Sequence, residues 1–133
     1  MTNEFLSQFR EFLGKHGWPT TSSPWDAVES WEALVEQCAH CYQWGFYEFD
    51  NEIQVRGLLE QALADPKLAC HEQLAEIRRR VMIADERFKQ LLLSGTQIRG
   101  EGNPWWRRGV LARAGEEYRE DMKRNYNIDV DPC

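Results

Sequence analysis

The feature that most constrains the fold is a helical pattern that runs from residue 25 to residue 64, in which apolar side chains recur every three or four residues. As one helix this segment would be about 60 Å long. A compact chain of 133 residues has a radius of gyration of only about 14 Å. The sequence therefore predicts a break, and Gly45, between Trp44 and Phe46, is the best position for it. The alternative is one long helix that projects from the body or packs against a second copy.

Local signals mark the first two helices. Asn3 is the expected N-cap of a helix that ends at about Lys15, because the phenylalanines of this segment fall on one helical face. Ser23 is expected to cap the second helix, with Pro24 at its first position and Asp26 in its first turn. The second helix should therefore begin at Pro24.

Two more helices are predicted in the second half. Pro66 ends the preceding element, since proline cannot donate a hydrogen bond within a helix. Residues 71–93 show the most regular apolar spacing in the chain, and residues 94–103 contain three glycines and should form a flexible loop. Pro104 is expected to open the last helix, and residues 125–133 form a tail in which a short extended piece is possible.

These segments predict an all-α fold, a compact bundle of four to five helices in a single domain of residues 1–133. The hydrophobic fraction of 42%, with six tryptophans, excludes an intrinsically disordered chain. The following residues are expected in or near the core: Trp18, Trp31, Phe49, Leu59, Ile77, Val81, Phe88, Leu111 and Tyr118.

Charge is unevenly distributed along the chain. Residues 26–65 contain nine acidic residues and one basic residue, whereas residues 74–133 contain twelve basic and ten acidic ones. Like charges three and four residues apart destabilise a helix, so an acidic stripe without interleaved cations suggests a binding role, although a solvated face or pairing with the chain's own arginines explains it equally. The candidate partner-binding residues are Asp26, Glu29, Glu32, Glu36, Trp44, Tyr47, Glu48, Asp50 and Glu52.

The only constellation with metal-ligand chemistry is Cys38, His40 and Cys41, with Cys70 and His71 further along. Thiolate and imidazole suit zinc, but the CxxC spacing lies inside a helical pattern and lacks a matching second half-site. A core-lining Cys38 and a partly buried Cys41 are the expected alternative. We therefore predict neither a metal nor another cofactor.

Two further observations limit the function. The three histidines lie in settings that provide no nucleophile and base pair, so we expect a protein that is not an enzyme. The sequence from Trp105 to Arg108 could stack bases or hold phosphate, but packing of one tryptophan under the last helix, with the arginines paired to the acidic half, is the favoured interpretation.

Net charge, apolar run length and cysteine content limit the expected partners and the expected cellular compartment. The net charge of −6 disfavours nucleic acid as a partner. No apolar run is long enough to span a bilayer, so no membrane is expected as a partner. Four cysteines, two of them in a helical pattern, are typical of a reducing compartment, so a cytoplasmic protein is expected.

The favoured function is stoichiometric binding of another protein, with a basic surface. In size, acidity and helical character the chain resembles bacterial immunity proteins and antitoxins, which neutralise a basic toxin or nuclease by covering it; no motif carries this resemblance. One alternative is a self-associating structural or adaptor bundle in which the helix over residues 74–91 pairs with itself as a homodimer. The other is a metal-dependent helical enzyme that uses Cys38 and Cys41.

Overall fold

In a computed structural model, which describes the backbone of residues 2–133 and the side chains of residues 4–133, helices account for 62% of the chain and a few short strands complete the fold. The predicted helical class is confirmed, but the pure all-α bundle is wrong because two small sheets are present. The helices are α1 (Thr2–Lys15), α2 (Pro24–His40), α3 (Phe46–Glu52), α4 (Gln54–Leu63), α5 (Glu72–Lys89) and α6 (Glu116–Tyr126). The strands are β1 (Leu92–Gln97), β2 (Gly109–Leu111), β3 (Arg113–Ala114) and β4 (Asp131–Pro132), and 3₁₀ turns cover Leu68–Cys70 and Trp105–Arg107.

The predicted helix boundaries in the first half are largely confirmed. Ser23 caps α2 by accepting a hydrogen bond from the Asp26 amide at 3.0 Å, with Pro24 as the first helical residue. The break near Gly45 is also confirmed, because α2 ends at His40 and α3 begins at Phe46. The expected cap Asn3 lies inside α1, which begins at Thr2, and its side chain lies outside the described residues.

The predicted last helix is wrong in its first half. Pro104 opens only a 3₁₀ turn, β2 pairs antiparallel with β1, and α6 begins at Glu116. Part of the expected flexible loop, up to Gln97, is strand β1. Gly115 shows why no helix runs through this segment: its amide donates to the Tyr42 carbonyl at 2.8 Å, and a Cβ at this position would lie 2.8 Å from the same oxygen.

The expected extended piece in the tail is present. Strand β4 lies parallel to β3, with Arg113 opposite Asp131 and Ala114 opposite Pro132. This pairing returns the end of the chain to the C-terminal end of α2.

A single core joins the helices to the β1–β2 hairpin. Helix α2 lies at its centre, against α4 and α5, while α3 packs on α6. Every residue predicted for the core is buried except Trp18, which is half-buried against it. Arg56 and Asp85 are the buried charged residues within the described chain.

Candidate protein-binding surface

Two carboxylates of the predicted acidic stripe are paired with arginines of α5. Glu32 on α2 accepts from Arg80 Nε at 3.0 Å, and Glu36 accepts from Arg87. The hydrogen bond and the charge of Arg87 hold the pKa of Glu36 below its ordinary value, and His40 adds to this effect at 3.0 Å. The structure therefore uses Glu32 and Glu36 to join α2 to α5.

The first two acidic residues of the stripe are placed differently. Asp26 and Glu29 are exposed near the start of α2, and in the described part of the chain no ion pair or side-chain hydrogen bond engages either carboxylate. Negative charge in the first turn of a helix is stabilised by the helix dipole, which gives Asp26 a structural role without a partner. Glu29 is the sixth residue of α2 and lies beyond that turn.

Asp50 and Glu52 of α3 also have contacts within the chain. Arg99 donates to both oxygens of Asp50 at 2.9 and 3.0 Å, and Arg107 lies 3.2 Å away, so Asp50 holds the hairpin region against α3. Glu52 accepts from the buried Tyr42 hydroxyl at 3.2 Å. Burial, with the charge of Glu52, raises the pKa of Tyr42.

The two aromatic residues of the predicted surface remain exposed. Trp44 is 54% and Tyr47 is 81% accessible, on either side of the start of α3. Because these two side chains remain in water, they add no buried area to the core. Tryptophan and tyrosine are among the residue types that contribute most of the binding energy in protein interfaces.

Three carboxylates converge between these aromatic residues. A Cβ at Gly45 would lie 2.8 Å from Asp121 Oδ2, 3.0 Å from Glu48 Oε2 and 3.3 Å from Glu117 Cδ, so a larger residue would push these side chains aside. Asp121 accepts from the Phe46 amide at 2.8 Å, which anchors α6 to α3. We call this set the acidic-aromatic surface, and it consists of Trp44, Tyr47, Glu48, Glu117 and Asp121.

Glu48 and Glu117 have the least compensated charge on this surface. Glu48 is exposed in the first turn of α3 and Glu117 in the first turn of α6. Across residues 4–133, neither carboxylate accepts a side-chain hydrogen bond or forms an ion pair, whereas Asp121 is paired with Arg124. Two negative groups beside two exposed aromatic rings can receive a lysine or arginine side chain.

Sequence reasoning identified Trp44, Tyr47 and Glu48 and missed Glu117 and Asp121. Glu117 and Asp121 lie at least 69 positions after Glu48 in the chain, and they reach α3 through two long-range contacts, from Gly115 to the Tyr42 carbonyl and from the Phe46 amide to Asp121. The sequence contains no local signal for these contacts.

The cysteines of the candidate metal-ligand set are used in different ways. Cys41 forms a disulfide with Cys133, so the expectation of reduced cysteines is wrong for this pair; the β3–β4 pairing brings their Cα atoms to 5.7 Å. Cys38 lines the core as expected, and burial, followed by the charge of Glu52, raises the pKa of its thiol to about 12. His71 instead contacts Gln8 at 2.6 Å. Within residues 4–133, no three histidine, cysteine or acidic side chains are grouped as metal ligands.

The segment from Trp105 to Arg108 is used for packing and internal pairing. Trp106 is buried against the Arg56 guanidinium, with 4.5 Å between Arg56 Cζ and the ring centroid. Arg107 pairs with Asp50, and Arg108 Nε donates to the Asn103 carbonyl at 2.6 Å. The tryptophan thus packs against α4 rather than under the last helix, while Arg107 pairs with the acidic half as expected.

None of the helices in the described segment, residues 2–133, is long and apolar enough to cross a membrane. No protein family model matches the chain, and no curated protein sequence or solved structure matches it either.

Proposed function

We propose that the chain binds another protein stoichiometrically and that the acidic-aromatic surface contacts a basic patch on that partner. One observation carries this proposal: Trp44 and Tyr47 are exposed on either side of a point where Glu48, Glu117 and Asp121 converge. Aromatic side chains supply the largest energies in protein interfaces. Carboxylates around them steer a cationic partner and select against an acidic one.

The internal pairing of the other acidic residues supports this choice of surface. Glu32, Glu36 and Asp50 have arginine partners, so little of their field is directed at a second molecule. Within residues 4–133, Glu48 and Glu117 have no arginine or lysine partner, and the first half of α6 also carries Glu116 and Glu120. Unpaired carboxylates of α3 and α6 therefore lie next to the two exposed aromatic rings.

The kind of partner follows from size and charge. A small acidic helical protein that binds through aromatic anchors suits neutralisation of a basic toxin or nuclease by direct coverage, as immunity proteins and antitoxins do. The interaction should weaken as salt rises, because screening reduces the electrostatic part of the association.

Capture from the native host, at low salt and with the neighbouring gene product co-expressed, tests the proposal. The Trp44→Ala/Tyr47→Ala double variant should lose a basic protein that the wild type retains. Gln54→Ala serves as the control, because Gln54 is exposed on a different helix, α4, and lies outside the acidic-aromatic surface. Capture of a basic protein by the wild type and by the control, but not by the double variant, supports the proposal. Equal capture by all three, or capture by none, contradicts it.

A further inference from the structure

The outer face of α5 exposes two large apolar side chains. Met82 and Ile83 are 60% and 59% exposed at the middle of this helix. The apolar stripe predicted to pair α5 with itself cannot do so, because Leu74, Ile77 and Val81 are buried in the core of the chain. Met82 and Ile83 lie outside that stripe.

Charged residues flank this apolar pair in an ordered way. Arg79 precedes and Glu86 follows the midpoint of Met82 and Ile83, each by about three and a half residues. That spacing is almost one full helical turn. Both charges therefore lie on the same line of the helix as the apolar pair, about 5 Å to either side of it along the axis.

The next charges extend the pattern. Glu76 lies 3.0 Å from Arg79 Nε, and Lys89 lies 3.3 Å from Glu86. Both pairs join exposed residues three positions apart, where an ion pair contributes little to stability. Read from one end of α5 to the other, the face is negative, positive, apolar, negative, positive.

This order is self-complementary only when two helices run in opposite directions. We propose that two copies of the chain pair through α5 in an antiparallel arrangement, with Met82 and Ile83 of both copies at the centre. Arg79 of each copy then faces Glu86 of the other at the same height. A two-fold symmetric interface of this kind uses the same patch on both copies.

The outer charges complete the interface. At each end, Glu76 lies at the height of Lys89 of the second copy, so four charges of alternating sign form one network. A parallel pair would instead bring Arg79 against Arg79, which excludes that orientation. The partner that fits this face is therefore a second copy, and the interface leaves α3 and α6 available for the proposed basic partner.

The apolar centre of the proposed interface is small. Two apolar residues from each copy are few for a standard interface, so we expect a dissociation constant on the order of tens of micromolar. Sedimentation velocity of the full chain between about 5 and 500 µM, which brackets that value, at physiological salt should show the dimer fraction rise with concentration.

Charge reversal tests the arrangement. Arg79→Glu and Glu86→Arg each place like charges opposite one another across the interface, so each variant alone should remain monomeric over that range. An equimolar mixture of the two variants should dimerise, because each contact across the interface then joins Glu to Arg. The Arg79→Glu/Glu86→Arg double variant should dimerise for the same reason.

Matched controls are Arg10→Glu and Glu11→Arg, which make the same charge changes at exposed positions on α1 and should dimerise like the wild type. Circular dichroism establishes that each variant is folded. Restored dimers in the mixture support the antiparallel pairing. A monomeric wild type, single variants that dimerise like the wild type, or a mixture that stays monomeric would overturn it.

Discussion

Arg56 and Asp85 form a buried, bidentate ion pair between α4 and α5. Arg56 Nε donates to Asp85 Oδ1 and Nη2 donates to Oδ2, both at 2.8 Å, and the Trp31 indole donates to Oδ1 at 3.0 Å. Burial acts to lower the pKa of Arg56, but the hydrogen bonds to Asp85 and Glu60 raise it above its ordinary value. The guanidinium therefore stays charged inside the core, and the pair, together with Trp31, links three helices.

We expect Asp85→Ala to lower the free energy of unfolding by about 3–5 kcal/mol, because the buried guanidinium loses its buried counter-ion and keeps only the more exposed Glu60. The Arg56→Met/Asp85→Leu double variant should lose less than Asp85→Ala, since it removes both charges together. Urea unfolding at pH 7 gives the free energy of unfolding of the wild type and of both variants. A double variant less stable than Asp85→Ala would show that the ion pair itself supplies net stability.

Glu32 and Glu29 provide a matched comparison on α2. Glu32→Lys breaks the pair with Arg80 and should cost about 1 kcal/mol, whereas Glu29→Lys makes the same charge change at an exposed site and should stay within about 0.5 kcal/mol of the wild type. Adding Arg80→Glu to Glu32→Lys should recover part of the loss. Chemical denaturation measures all four proteins, and equal losses for Glu29→Lys and Glu32→Lys would contradict a structural role for Glu32.

The two free cysteines should react at very different rates. Burial raises the pKa of the Cys38 thiol to about 12, so almost no thiolate is present at pH 8, whereas Cys70 is exposed. Ellman's reagent should therefore modify one thiol in the native protein and two after unfolding without a reductant. In Cys70→Ser the native protein should not react. Rapid reaction of this variant would show that Cys38 is accessible.

The disulfide between Cys41 and Cys133 should be a main source of stability at the end of the chain. It closes a loop with a sequence separation of 92 residues, and loss of such a cross-link costs about 2–4 kcal/mol. Cys133→Ser should show this loss in urea. The Asp131 amide, which donates to the Ala112 carbonyl at 3.0 Å, should also exchange its hydrogen faster. Unchanged stability and exchange would mean that the β3–β4 pairing needs no cross-link.

The helices of the first half could be predicted because their signals are local. Ser23 and Pro24 define the start of α2 by their own chemistry, and the length of the helical pattern requires a break near Gly45. Helix α5 was also predicted, from the apolar spacing of residues 71–93, but the segment between Pro104 and Gly115 was wrongly predicted as helix. Leu111 and Tyr118 are buried as predicted, but in a strand and a helix separated by Gly115, whose conformation depends on a contact with Tyr42.

The candidate surface could be predicted only in part, because only some of its residues are neighbours in the sequence. Trp44, Tyr47 and Glu48 are neighbours in sequence, and their pattern indicated an acidic surface with aromatic residues. The pairing of the other carboxylates with the chain's own arginines depends on the packing of α2 against α5 and on the contact of Arg99 with Asp50. Long-range contacts of this kind leave no periodic trace in a single sequence.

Site-specific photo-crosslinking tests the central claim most directly. A benzophenone amino acid replaces Tyr47, which is 81% exposed, and the purified variant is irradiated in a lysate of the native host at low and high salt. We expect a crosslink to a protein of net positive charge, with a yield that falls at high salt and is lost when Glu48→Lys and Glu117→Lys are added. The same amino acid in place of Gln54, an exposed position on α4, should not give that product. A crosslink to a protein of net negative charge, or equal crosslink yields at positions 47 and 54, would contradict binding of a basic partner at this surface.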